Sequence, residues 1–119
     1  MGIARIEDEL KTAISDIEAL KGRVVNVGAV GDTRFNPGWH QAMSLRFLLV
    51  CSEAIAKCAL ERRESRGGHM RVDHLETSDE YGQFNHVVRK GADGQMELRR
   101  EPLPQMPAEL KDLFKDGTK

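Results

Sequence analysis

The stretch that most constrains this chain is residues 47–60, FLLVCSEAIAKCAL, whose only polar members are Ser52, Glu53 and Lys57. It lies inside a helix pattern that runs from 38 to about 63. The start of that helix is written in FNPGW: Asn36 suits the N-cap, and Pro37 takes the first helical position, where its missing N–H costs nothing. On a helical period Leu45, Leu48, Leu49, Ile55, Ala56, Ala59 and Leu60 face one way, and Met43, Phe47, Val50, Cys51, Ala54 and Cys58 face another. A helix apolar on two sides needs cover on two sides.

One cover stands upstream. Ile3, Ile6, Leu10, Ala13, Ile17, Leu20 and Val24 alternate spacings of three and four, and Ile14 widens the stripe, while Glu7, Lys11 and Glu18 make a solvated face. Gly22 marks a place for the helix to end. The spacing predicts two long antiparallel helices over about 3–21 and 37–64, a mainly α, spectrin-repeat-like bundle fragment. The second apolar face stays bare, so the chain either self-associates or is a piece of something larger.

VVNVGAVGDTRF reads as the connection, broken at Gly28 and Gly31, with room for a short extended piece. Past Gly67-Gly68 the composition turns polar and irregular in RVDHLETSDEYGQ. FNHVVRK, GADGQ and MELRREPL then predict a small β-hairpin over 84–89 and 96–100, turning on Ala92-Asp93-Gly94. Pro102, Pro104 and Pro107 stiffen the next segment as an extended tail, and PAELKDLF offers one or two helical turns before a frayed end. The chain thus divides into a helical hairpin, 1–75, and a polar loop, hairpin and proline-rich tail, 76–119.

The charge balance, 18 Lys+Arg against 19 Asp+Glu, argues against a dedicated nucleic-acid binder. Cys51 and Cys58 on one helix are separated by roughly 10 Å at ~1.5 Å rise per residue, beyond disulfide reach. Both read as small core residues of a reduced, cytosolic protein. There is no secretory leader and no apolar run of membrane-spanning length. Ile6 stands where a myristoylation motif needs Ser or Thr.

Most chemistry is excluded for want of partners. His69 and His74 are spaced wrongly for a helical zinc pair, and the cysteines are remote from them, so no metal set converges. A cysteine nucleophile needs an electropositive, partly exposed setting, which an apolar helix does not give. GAVGD and SRGGH match neither a P-loop nor a dinucleotide turn. The run ERRESRGGHMRVD resists dismissal. A helix C-terminus, with cations at the negative end of the dipole and Gly67 at the left-handed C′ position, accounts for Arg62, Arg63 and one glycine. A docking knot accounts for the rest: Arg66 bonded to a carboxylate or carbonyls, and Gly67-Gly68 admitting another backbone. The residues alone support both.

NPGWHQAMSLRFLLVCSEAIAKCALERRESRGGHMRVD resembles the C-terminal helical domain of the succinate dehydrogenase and fumarate reductase flavoprotein subunits. The likeness falls on Asn36, Pro37, Leu45, Glu53, Ala54, Ala59, Leu60, Arg62, Glu64, Ser65, Arg66, Gly67, His69, Arg71 and Asp73. GIARIEDELKTAI is similar to the family's first helix here, and the tail to the hairpin and proline-rich end of bacterial members. Gly68 departs from the usual Ala. The resemblance implies a three-helix bundle packed on an FAD-binding domain of the same chain. It implies FAD in the intact protein but none held by this segment, and no catalytic, cofactor or metal residue within it. The implied partners are an iron–sulfur subunit and a membrane anchor, at the inner face of the cell membrane. It also implies succinate–fumarate interconversion by the intact protein. The proposed docking motif is Glu64, Ser65, Arg66, Gly67, Gly68, His69, Arg71 and Asp73. L-aspartate oxidase shares a looser version of the pattern, and a free-standing helical dimerisation module is the remaining alternative.

Overall fold

The computed structural model describes residues 2–111. In chain order these form strand β1 (Ala4–Arg5), helix α1 (Glu7–Val24), helix α2 (Pro37–Glu61), strand β2 (Met70–Arg71), a 3₁₀ turn (Tyr81–Gln83), strands β3 (Phe84–Lys90) and β4 (Met96–Pro102), and the short helix α3 (Ala108–Lys111). The molecule is elongated, 63 × 34 × 32 Å. No helix among the described residues is long and apolar enough to cross a membrane.

Helix α1 starts at Glu7, four residues later than its stripe predicts. The reason is tertiary. Residues 4 and 5 pair in parallel with β2, Ala4 opposite Met70 and Arg5 opposite Arg71, and Ile3 is 75% exposed. Ile6, in extended conformation, offers no side-chain cap. Instead the Glu7 N–H donates to Asp73 Oδ2 at 3.0 Å, a cap from 66 residues away. Glu7, Asp8 and Glu9 in the first turn and Lys21 and Arg23 in the last suit the helix dipole. At the other end the helix runs through Gly22 to Val24, because Val24 is buried in the core, and packing outweighs the ~1 kcal/mol penalty of a helical glycine.

Helix α2 begins as the sequence predicts. Asn36 Oδ1 accepts from the Trp39 N–H at 3.2 Å, while its Nδ2 donates to the carbonyls of Val30 and Asp32. One side chain thus caps the helix and fastens the loop before it, which holds no strand. The helix stops at Glu61, short of the expected 64, where Arg62 turns extended.

The core is the seam between these helices. Ile17 and Val24 pack with Leu49 and Ala56, with Ile14 and Leu45 at the margin, and Leu10 and Ala59 are buried as well. Leu48 and Ile55, grouped by the sequence on one apolar face with Leu49 and Ala56, are 59% and 52% exposed. Glu53 takes a place in the seam, 2% exposed. It pairs with Lys21 across the helices and with Lys57 Nζ at 2.5 Å one turn on. Packed against α1, α2 buries a narrow ridge and, among the described residues, leaves Met43, Phe47, Leu48, Cys51 and Ile55 largely bare. Cys51 is therefore exposed rather than a core residue.

Strands β3 and β4 pair from Phe84–Pro102 to Lys90–Met96, one or two residues beyond the expected bounds, and turn with Gly94 at φ +81°. The segment read as irregular, 71–83, contributes to β2 and the 3₁₀ turn. Asp112, Leu113 and Phe114 of the expected final helix lie outside the described residues.

Candidate functional site

The eight residues of the proposed motif gather at one place, the crossing of the α2 C-terminus, β1, β2 and the start of the hairpin. Glu64 is fully buried. Its carboxylate accepts from Arg62 Nη1, from Arg66 Nε at 3.0 Å and Nη2 at 3.1 Å, and from the Ser78 N–H at 2.8 Å. Burial alone would raise this carboxyl; the bonds from Arg66, Ser78 and Arg62 outweigh it and hold the pKa at about 2. Arg62 continues to the carbonyls of Tyr81 and Phe84, and Arg66 to that of Ser78. One carboxylate thereby fastens the 78–84 segment to the end of α2.

Arg71 is the second hub, also fully buried. It forms a bidentate pair with Asp73, both bonds 2.7 Å, and its Nη1 donates to the carbonyls of Ala59 and Leu60 at 3.0 and 3.2 Å. Those carbonyls belong to the last turn of α2, which has no intrahelical donors left for them. Arg71 thus caps the negative end of α2 while Asp73 caps the positive end of α1. The paired guanidinium of Arg71 holds the Asp73 carboxyl well below the usual carboxylate range. Glu7, Asp73 and His74 place ligand-type atoms within 4.8 Å of one another. Arg71 already supplies the positive charge there, with Nη2 3.9 Å from Glu7, so the trio makes no case for a metal.

Ser65 Oγ accepts from the Arg71 N–H at 2.8 Å and reaches the His74 carbonyl at 2.9 Å. Gly67 and Gly68 form a two-residue turn closed by mutual backbone bonds between Arg66 and His69. Gly67 has φ +55°, the left-handed first position of a type II′ hairpin turn. It is therefore not the C′ residue of α2, which ended six residues earlier at Glu61. Both glycines are exposed and open to an approaching backbone, with no atom within 4 Å of an added Cβ. Gly68 lies outside the left-handed region, so alanine fits equally well there. His69 places Nδ1 2.8 Å from Arg5 Nη1 and Nε2 3.0 Å from the Arg62 carbonyl. Arg5 can only donate, so the bonding assigns a neutral ring with its proton on Nε2. Burial, together with the nearby guanidiniums, lowers its pKa against the pull of the Arg62 carbonyl.

Sequence reasoning missed several members. Glu7 was read as part of the solvated face of the first helix, and Arg5 carried no signal of its own. Tyr81, the one tyrosine, donates to the Glu61 carbonyl at 2.9 Å. Arg100 pairs with Glu61 at 2.6 Å and lies 4.7 Å from the Phe84 ring centroid, which ties the hairpin to α2. A single tyrosine in a polar stretch was the one available signal. Cys58 is half-buried and its thiol pKa is raised by burial, the opposite of an activated nucleophile.

The described residues do not make a flavin cradle. The left-handed glycines, Gly31, Gly67 and Gly94, lie in three separate turns, and no glycine-rich turn opens onto a helix N-terminus behind a strand. No flavin step is assigned to them.

The knot fixes both helix ends and the hairpin, and residues 1–112 match the family described as fumarate reductase flavoprotein C-term. The chain belongs to that family. It is similar to the Mycobacterium smegmatis Sdh1 structure in complex with UQ1, with 38% identity and a TM-score of 0.81, covering 98% of this chain and 20% of that one. Among curated relatives it is 33% identical to the fumarate reductase flavoprotein subunit of Haemophilus influenzae over 79 residues, 66% of this chain and 13% of that protein. It is 36% identical to the L-aspartate oxidase of Acinetobacter baylyi over 76 residues, 64% of this chain and 13% of that one. The chain spans about a fifth or less of the length of these relatives. It corresponds to the C-terminal domain of a succinate dehydrogenase or fumarate reductase flavoprotein subunit.

Proposed function

We propose that this domain is the structural buttress of a flavoprotein that interconverts succinate and fumarate and passes electrons to an iron–sulfur subunit. The intact protein would carry FAD in a domain of its own and sit at the inner face of the cell membrane through a separate anchor. The observation that carries the reading is the pairing of a family match over residues 1–112 with a fold that superimposes on a solved Sdh1 chain at a TM-score of 0.81. The domain's own contribution is packing. The bare face of α2 lies against the FAD-binding domain, and the Gly67-Gly68 turn, with the outer edge of Arg66, docks on that domain or on the iron–sulfur subunit. Arg66 is suited to both tasks: its side chain is 43% exposed while it still holds Glu64. The likeness to L-aspartate oxidase supports a second reading with the same scaffold role.

The test is made on the intact flavoprotein. Dye-linked oxidation of succinate, with no turnover of L-aspartate, supports the first reading; turnover of L-aspartate alone replaces it with the second. For the docking role, Arg66→Ala is expected to lower flavin retention and recovery of the assembled complex. Unchanged stability, flavin content and assembly in that variant would remove it.

A further inference from the structure

A cavity of about 370 Å³ opens beside the knot, walled by Arg5, Ile55, Cys58, Arg62, His69 and His86. Four separate parts of the chain meet here: β1, the last two turns of α2, the glycine turn and β3. Its polar groups are two guanidiniums, two imidazoles and a thiol; among the described residues no carboxylate lines it. Arg62 is paired with Glu64, which it shares with Arg66. Arg5 is not neutralised. It is half-buried, and its partners among the described residues are neutral acceptors, the Gly2 carbonyl and His69 Nδ1. Both imidazoles have pKa values lowered by burial, and the His86 Nε2, shielded from solvent, has no hydrogen-bond partner among the described residues. The cavity therefore holds one unbalanced guanidinium with donors left over. A partly desolvated cation in that state attracts an anion, and the planar fork of arginine matches a carboxylate.

The shape and position of the notch indicate the source of the anion. It is open on one side, whereas a small-molecule site encloses most of its ligand. It also lies at the end of the bare stripe of α2. Met43, Phe47, Cys51, Ile55, Cys58 and Arg62 succeed one another at spacings of four and three, and Met43, Phe47, Cys51 and Ile55 are exposed. Whatever covers the stripe reaches the notch. We infer that the notch is the seat of an aspartate or glutamate side chain from the part of the flavoprotein outside these 119 residues, paired with Arg5 where that part covers the bare stripe. The inference rests on the reading of this chain as one domain of a larger flavoprotein.

The test uses the intact flavoprotein carrying Arg5→Lys, which places a primary amine at the notch while keeping the charge. A carbodiimide that joins amines to carboxylates in contact is applied, and the joined peptides are identified by mass spectrometry. The exposed pair Lys11–Glu7, at 2.7 Å, reports that the chemistry has worked. The expected result is one dominant cross-link from position 5 to an Asp or Glu outside the 119 residues, lost when that residue is changed to Asn or Gln. A cross-link from position 5 only to carboxylates within the 119 residues, or none while Lys11 and Glu7 are joined, overturns the inference. Flavin absorbance is read on the same sample. A cross-link without flavin would defeat the proposed function and leave the seat standing; flavin without the cross-link would do the reverse.

Discussion

Glu64 shows how a charged side chain becomes the organiser of a fold. It lies at zero exposure among two guanidiniums and an amide N–H. Glu64→Gln keeps the shape but leaves Arg62 and Arg66 short of their counter-charge, and is expected to cost about 3 kcal/mol in urea unfolding. Because the folded pKa of about 2 lies below the ordinary value, the Glu64 contribution is complete above the unfolded pKa. It is lost as pH falls through the window from about 4.5 to about 2. The wild-type domain should lose stability through that window, and Glu64→Gln should flatten the loss. The two glycines of the turn separate cleanly. Gly67→Ala must adopt φ +55° and should cost about 1 kcal/mol. Gly68→Ala meets no atom within 4 Å and should leave stability unchanged or slightly raised. Thermal unfolding of the pair distinguishes them.

At the scale of elements, what could be read from the sequence was what is local. The cap at Asn36 and the proline after it set the start of α2 within the chain's own neighbourhood, and the structure keeps both. Asn36→Ala removes the cap and two ties to the preceding loop, and is expected to cost about 1–2 kcal/mol by denaturant titration. The start of α1 was illegible because its cap, Asp73, lies 66 residues downstream. The faces of α2 were only half legible. Hydrophobicity gave two apolar faces and did not say which α1 covers; burial is decided by that ridge, which leaves Leu48 and Ile55 exposed and takes in Glu53 between Lys21 and Lys57. The run from Glu64 to Asp73 was legible as a cluster; its two hubs were not, since charge alone does not say that Glu64 and Arg71 point inward.

For the whole molecule, the outward row of Met43, Phe47, Leu48 and Ile55, each 48–68% exposed, is the face that the proposed function sets against the FAD-binding domain. In the intact flavoprotein, Phe47→Asp is expected to lower stability by about 3 kcal/mol, the penalty of forcing a charge into a covered apolar contact. Differential scanning calorimetry of the full chain would read it, and an unchanged transition would show that this row faces water in the assembled protein.

The two-residue strand pair β1–β2 has a consequence for the order of synthesis. Ala4 and Arg5 leave the ribosome ahead of Met70, Arg71 and Asp73, which emerge some 66 residues later. At ~5–20 residues per second that is a delay of several seconds. During it α1 lacks the cap at its first turn and α2, once made, lacks the arginine that closes its last. The helical pair therefore waits for a single short segment, and the emergence of Asp73 marks the moment at which it can lock.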